Sequence, residues 1–172
     1  MEKPNILITC PMSLEYLTKL NADSRIAKAQ QLPREMWPLF RQMYTGGIDA
    51  TAGGPREMGP YFAEADIIVC WGLPHGSVNW SPKLKWVQGW SAGVDYMKGS
   101  GVLESGIPLT TLSGGNAVPV AEHVLLMMLM LARDAKGFIE NARKRQWRAP
   151  HSADVLSGST VGIVGLGAIG SQ

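Results

Sequence analysis

Residues 159–170, Ser-Thr-Val-Gly-Ile-Val-Gly-Leu-Gly-Ala-Ile-Gly, restrict the possible fold more than any other stretch. They join a β-type run directly to Gly-x-Gly-x-x-Gly at Gly165, Gly167 and Gly170. Val161, Ile163 and Val164 favour a buried parallel strand. Gly165 permits a tight turn, Gly167 lets backbone approach a pyrophosphate, and Gly170 lets a following helix pack closely on the strand. The amides of Ala168 and Ile169 then face the phosphates at the start of that helix. The acidic residue expected about 20 positions further on would lie beyond Gln172, so the motif points to a dinucleotide site of which these residues form the opening.

The chain of 172 residues suits one domain or a little more, and a net charge of +2 provides no broad basic field for nucleic acid or anionic lipid. Cys10 and Cys70 each follow a strand-like apolar run and read as small buried hydrophobes rather than a disulfide framework. No residues form an evident metal site. The start of the chain lacks a signal-peptide pattern, and the longest apolar run, residues 124–132, is far short of the roughly 20 needed to span a bilayer. A cytoplasmic location is the expectation.

Read in order, residues 5–9 predict a first buried strand, and Ser13 caps a helix from Leu14 whose Leu14, Leu17 and Leu20 recur at helical spacing and are expected to pack back on the strand. Residues 25–29 read as a second strand and 33–43 as a helix. Residues 45–60 hold five glycines and two prolines and read as a long loop, either a plain connection or a lid. Strands follow at 65–71, 84–90 and 107–112, each leaving through small residues. That alternation predicts a parallel sheet with helices on its faces, whose ligands gather beyond the strands' carboxyl ends. The turns at Ser91 to Asp95 and Gly114 to Asn116 are therefore expected to share one rim.

Residues 117–132 are apolar almost all the way round, interrupted by Glu122 and His123, which predicts a helix buried on every side. Either Asn116 caps it or Pro119 takes its first position. A more amphipathic helix follows from Arg133 to Trp147, with Arg143, Lys144, Arg145 and Arg148 as a solvated face, then a connector over 149–153. In the Ser91 to Asp95 turn, Asp95 capping the next short segment is the alternative to an anion-holding backbone nest at Ala92 and Gly93.

Ser-Ala-Gly-Val-Asp at 91–95, Gly-Asn-Ala-Val-Pro-Val-Ala-Glu-His at 115–123, the basic-aromatic helix ending at Trp147 and the glycine motif occur in an order that resembles the D-isomer-specific 2-hydroxyacid dehydrogenases. The likeness is close in the second half and holds only in outline before residue 60. It implies an α/β protein: a flavodoxin-like parallel-sheet substrate domain at 1–112, then at 113–172 the opening helices and first strand of a Rossmann NAD(P)-binding domain. It further implies that Ala92 and Gly93 hold a substrate carboxylate, that Asn116 lies at the cleft, and that Gly165, Gly167, Ala168, Ile169 and Gly170 meet NAD or NADP. The expected partners are a small 2-keto or 2-hydroxy acid and a second copy of the chain, joined through the helices from Ala117 to Trp147. That family's catalytic Arg, acidic residue and His follow the glycine motif, beyond Gln172. His75, His123 and His151 are therefore not expected to be catalytic, and the stretch alone is expected to be inactive. The alternative is a noncatalytic dimerising or small-acid-binding module.

Overall fold

The computed structural model describes residues 2–45, 57–148 and 154–172. Two compact units are formed, Met1–Ser113 and Gly114–Gln172.

The first unit is built on strands β1 (Asn5–Ile8), β2 (Lys28–Gln31), β3 (Ile67–Cys70), β4 (Trp86–Gly89) and β5 (Leu109–Thr110), all parallel in the order β2-β1-β3-β4-β5. This is the flavodoxin-like order. It needs strands apolar on both faces, and β1 supplies one: Leu7 packs with Ile68 and Val87 on one side, Ile6 and Ile8 with Ala29 on the other. Helices α1 (Leu14–Ala22), α2 (Trp37–Tyr44) and α3 (Gly59–Ala63) connect the first three strands. Ser13 caps α1 as expected, its Oγ accepting from the Tyr16 amide at 3.4 Å. Under α2 and α3, Phe62 is fully buried, its ring edge-on to Trp80 at 5.3 Å between centroids.

The expected second strand, residues 25–29, begins instead at Lys28. Its register is set by pairing Asn5 with Lys28 and Ile8 with Gln31, because Lys-Ala-Gln-Gln carries too little apolar pattern to set its own. On its outer edge the Asn21 side chain exchanges both hydrogen bonds with Ala29, accepting from its N–H at 2.9 Å and donating to its C=O at 2.8 Å. That amide replaces a neighbouring strand and blunts the edge. Of the glycine-rich 45–60 segment, residues 46–56 lie outside the described residues, as do 149–153 with His151.

The second unit contains α4 (Ala117–Ala132) and α5 (Ala135–Arg143). α5 starts two residues later than expected because Asp134, at φ 47°, breaks the path and caps the new helix, accepting from the Gly137 amide at 3.2 Å. Two expectations are corrected. α4 is not buried on every side: Ala117 alone is buried, while Leu125, Leu129 and Leu131 are 57%, 50% and 83% exposed. The unit holds too little chain to cover an apolar rod. Residues 161–164 form no strand. A strand needs a neighbour to take its N–H and C=O groups, and no described residue pairs with it. Val164 is fully exposed.

Candidate functional site

In the first unit, β4 ends at Gly89 and the chain turns through Ser91 to Asp95 into a 3-10 turn, Asp95–Met97. The turn is shaped locally. Ser91 Oγ donates to the Gly93 carbonyl at 2.7 Å, the Leu112 amide donates to the Ser91 carbonyl at 3.0 Å, and the Met97 amide to the Val94 carbonyl at 2.9 Å. Ala92 and Gly93 are exposed, and their amides meet no acceptor among the described residues. No residue from 91 to 95 has positive φ, so any convergence of these amides comes from turn geometry rather than a left-handed glycine. Asp95 makes no cap; its carboxylate lies 3.2 Å from Lys98 Nζ at the surface.

Beside that turn, a cavity of about 810 Å³ opens at the carboxyl ends of β1 and β3, lined among others by Thr9, Arg34, Trp37, Arg41, Trp71 and Tyr96. In this strand order β1 and β3 flank the point where the chain reverses direction across the sheet, the usual ligand crevice of open α/β folds. The arginines were not singled out from the sequence. Their signal was the spacing of Arg34, Trp37 and Arg41, which places them on one helical face.

The second unit holds Asn116 and the glycine turn. Asn116 occupies the N-cap position of α4 without a side-chain hydrogen bond, and its carbonyl accepts from the Val120 amide at 3.1 Å. Pro119 is third in the helix rather than first. Glu122 lies just past the first turn, exposed, and His123 is exposed too rather than on a buried helix.

Gly165 takes φ +98°, which bends the chain back. A Cβ at Gly170 would run into the Gly165 carbonyl oxygen, whereas one at Gly167 would meet nothing within 4 Å. From Gly167 the chain closes a hydrogen-bonded turn, the Ser171 amide donating to the Gly167 carbonyl at 3.1 Å. The amides of Ala168, Ile169 and Gly170 meet no acceptor among the described residues. A turn whose first glycine bends, whose third packs and whose second faces open space with free amides beside it fits a bound pyrophosphate.

The other histidine, His75, has a packing role: a Cβ at Gly99 would come within 2.9 Å of its three nearest ring atoms. Among the described residues no cluster of three His, Cys, Asp or Glu can hold a metal ion, and no helix is long and apolar enough to cross a membrane.

A flavodoxin-like parallel sheet, followed in the chain by an apolar helix and a dinucleotide-type glycine turn, defines an α/β architecture of the class that binds nucleotides. Residues 125–172 match the family described as D-isomer specific 2-hydroxyacid dehydrogenase, NAD binding domain. D-3-phosphoglycerate dehydrogenase of Bacillus subtilis is 33% identical over 95 residues, covering 55% of this chain and 18% of that protein. Among solved structures, NADPH-dependent glyoxylate/hydroxypyruvate reductase of Sinorhizobium meliloti, in complex with NADP and malonate, superposes with a TM-score of 0.65 at 23% identity. That match covers 99% of this chain and 48% of the other. NAD-dependent formate dehydrogenase of Staphylococcus aureus, in complex with NAD, gives 0.59 at 20% identity, covering 97% and 51%. The structural matches carry the fold, and the sequence matches show what the chain is similar to: its residues 125–172 resemble the NAD binding domain of the D-isomer specific 2-hydroxyacid dehydrogenases. The chain spans about half the length of those solved structures.

Proposed function

We propose that this chain supplies the acid-holding domain, residues 1–112, and the opening of the NAD(P)-binding Rossmann domain, residues 113–172, of a cytoplasmic oxidoreductase. That enzyme moves a hydride between NAD(P)H and a small 2-keto or 2-hydroxy acid. The observation that carries this reading is the Gly165 to Gly170 turn, with its packed third glycine and open second one, inside the segment that matches an NAD-binding domain.

The nicotinamide cofactor, when bound, gives or takes the hydride. The protein binds and orients. Ala92 and Gly93 donate their amides to the substrate carboxylate, which fixes one end of the acid without any buried positive charge. Asn116 places a polar side chain at the cleft. Gly165 and Gly167 keep the backbone clear of the pyrophosphate, Ala168 and Ile169 donate to it, and Gly170 keeps the helix start against the turn. The apolar faces of α4 and α5 pair with those of a second copy, which removes Leu125 and Leu129 from water.

On this reading no described residue takes the family's roles of an Arg that orients the acid, a His that exchanges the proton and an acidic residue that tunes the His, so residues 1–172 are expected to show no glyoxylate-, pyruvate- or hydroxypyruvate-dependent oxidation of NADH or NADPH. In an amide-resolved NMR titration with glyoxylate, the Ala92 and Gly93 signals are expected to shift most. Turnover by this stretch would remove the first expectation, and shifts that spare both amides would remove the carboxylate assignment. The alternative, a noncatalytic dimerising module, draws on the exposed α4 face. It predicts a stable dimer that binds neither acid nor nucleotide.

A further inference from the structure

The cavity at the ends of β1 and β3 has a chemistry that the carboxylate turn and the glycine turn leave unused. Arg34 lies just before α2 and Arg41 within it, seven residues apart. Arg34 belongs to the 3-10 turn Arg34–Met36 that leads into α2, and both arginines line the same cavity. Trp37 sits between them on the same face. Its indole N–H donates to the Leu32 carbonyl at 2.8 Å, which fixes the ring, and the Arg34 guanidinium lies 5.8 Å from the ring centroid. Stacking of this kind orients the planar guanidinium.

Among the described residues neither arginine has an ion pair or side-chain hydrogen bond, and no described Asp or Glu lines the cavity. Elsewhere on this unit exposed cations do find carboxylates: Arg25 with Asp23 at 2.6 Å and Lys85 with Asp66 at 2.7 Å. Two forked cations on one wall of a cavity whose described lining holds no carboxylate make a site for an anion, and the guanidinium matches carboxylate and phosphate alike.

The cavity also adjoins the acid-holding turn. Tyr96, on its wall, is three residues from Gly93, and the Tyr96 carbonyl accepts from the Leu73 amide at 3.0 Å, tying this turn to the loop after β3 that carries Trp71.

We propose that Arg34 and Arg41 read a second, distal anionic group, carboxylate or phosphate, on a substrate whose first carboxylate sits at Ala92 and Gly93. The carbon chain between lies against Trp71 and Tyr96. The ligand class is then a dianionic 2-hydroxy or 2-keto acid rather than a simple monoacid. This assignment rests on the carboxylate role proposed above for the turn.

The test is calorimetric titration of the chain with D-2-hydroxyglutarate, D-3-phosphoglycerate and D-2-hydroxypentanoate, which share the acid end and differ in the tail. At least one of the two dianions is expected to bind about tenfold or more tighter than the pentanoate, and the tighter one tells carboxylate from phosphate. Arg34→Gln and Arg41→Gln change exposed side chains; each is expected to lower the preference severalfold while leaving pentanoate affinity unchanged. Equal affinity for all three acids overturns the distal-anion role but leaves the carboxylate turn intact. So do variants that weaken all three alike. Failure of all three to bind overturns the turn's role and this proposal together.

Discussion

Gly170 packs so closely on Gly165 that a side-chain carbon on the former would strike the carbonyl oxygen of the latter. The contact lies within a single turn, so the two glycines serve the turn's own shape. Gly167, three residues earlier, has open space where its side chain would be. Gly170→Ala is expected to distort the turn without any ligand, seen as amide shifts across residues 163–170. Gly167→Ala is expected to leave the free protein within about 0.5 kcal/mol of its original stability yet to weaken NADH binding at least about tenfold in a fluorescence titration. Unchanged nucleotide affinity in Gly167→Ala would show that the open space is not the pyrophosphate site.

Asp66 ties the amino ends of three strands together. Its carboxylate accepts from the Asn5 amide at 2.9 Å and from Lys85 Nζ at 2.7 Å, and its carbonyl accepts from the Lys85 amide at 2.8 Å. Burial opposes ionisation, but the Asn5 amide, the Lys85 ammonium and the more distant Lys83 charge outweigh it and hold the carboxyl below its ordinary range. A carboxyl whose pKa is lower folded than unfolded contributes stability above the unfolded value and loses it as pH falls through the folded one. Asp66→Ala is expected to cost about 1–3 kcal/mol at neutral pH, because the Asn5 amide loses its acceptor. In urea titrations the difference from the parent protein should shrink below about pH 4. Lys85 is mostly exposed, so Lys85→Met should cost much less than Asp66→Ala.

Cys70 ends β3, Cys10 lies two residues beyond the end of the adjacent β1, and both are fully buried. They sit in the clusters on opposite faces of the sheet, so they do not form a disulfide. Burial pushes the Cys10 thiol up to about 11 despite a backbone hydrogen bond, and burial followed by the neighbouring Cys10 pushes Cys70 further. Reactivity follows the thiolate. At pH 8 an aromatic disulfide reagent is expected to label neither cysteine in the folded protein over minutes, and two per chain in urea. Fast labelling of the native protein would contradict this burial.

The exposed apolar residues of α4 give a separate test of assembly. Leu125→Glu and Leu129→Glu place charge on an already exposed face and should leave the first unit's melting unaltered. Where a second copy covers that face, sedimentation velocity will show the variants shifted from dimer to monomer. A parent protein already monomeric at high concentration would remove the dimer from the proposal.

How much could be read in advance differed from element to element for physical reasons. The runs around Ile6 to Ile8, Ile67 to Cys70 and Val87 are apolar on both faces, and such runs have few places to go but the centre of a parallel sheet. Ser13 before Leu14 and the three glycines at 165, 167 and 170 act through their own backbone, so local chemistry alone determined the helix start and the turn. Other features needed the folded chain. β2 has no apolar pattern and takes its limits from β1 and from Asn21. Val161, Ile163 and Val164 have every local preference for a strand and form none, because a strand exists only with a neighbour to accept its hydrogen bonds. Arg34 and Arg41 read as ordinary surface charge until α2 sets them on a wall shared with Trp71 and Tyr96, residues far away along the chain. Periodicity and turn chemistry are local and survive in the sequence; pairing, coverage and the gathering of distant side chains into one cavity are decided only in three dimensions.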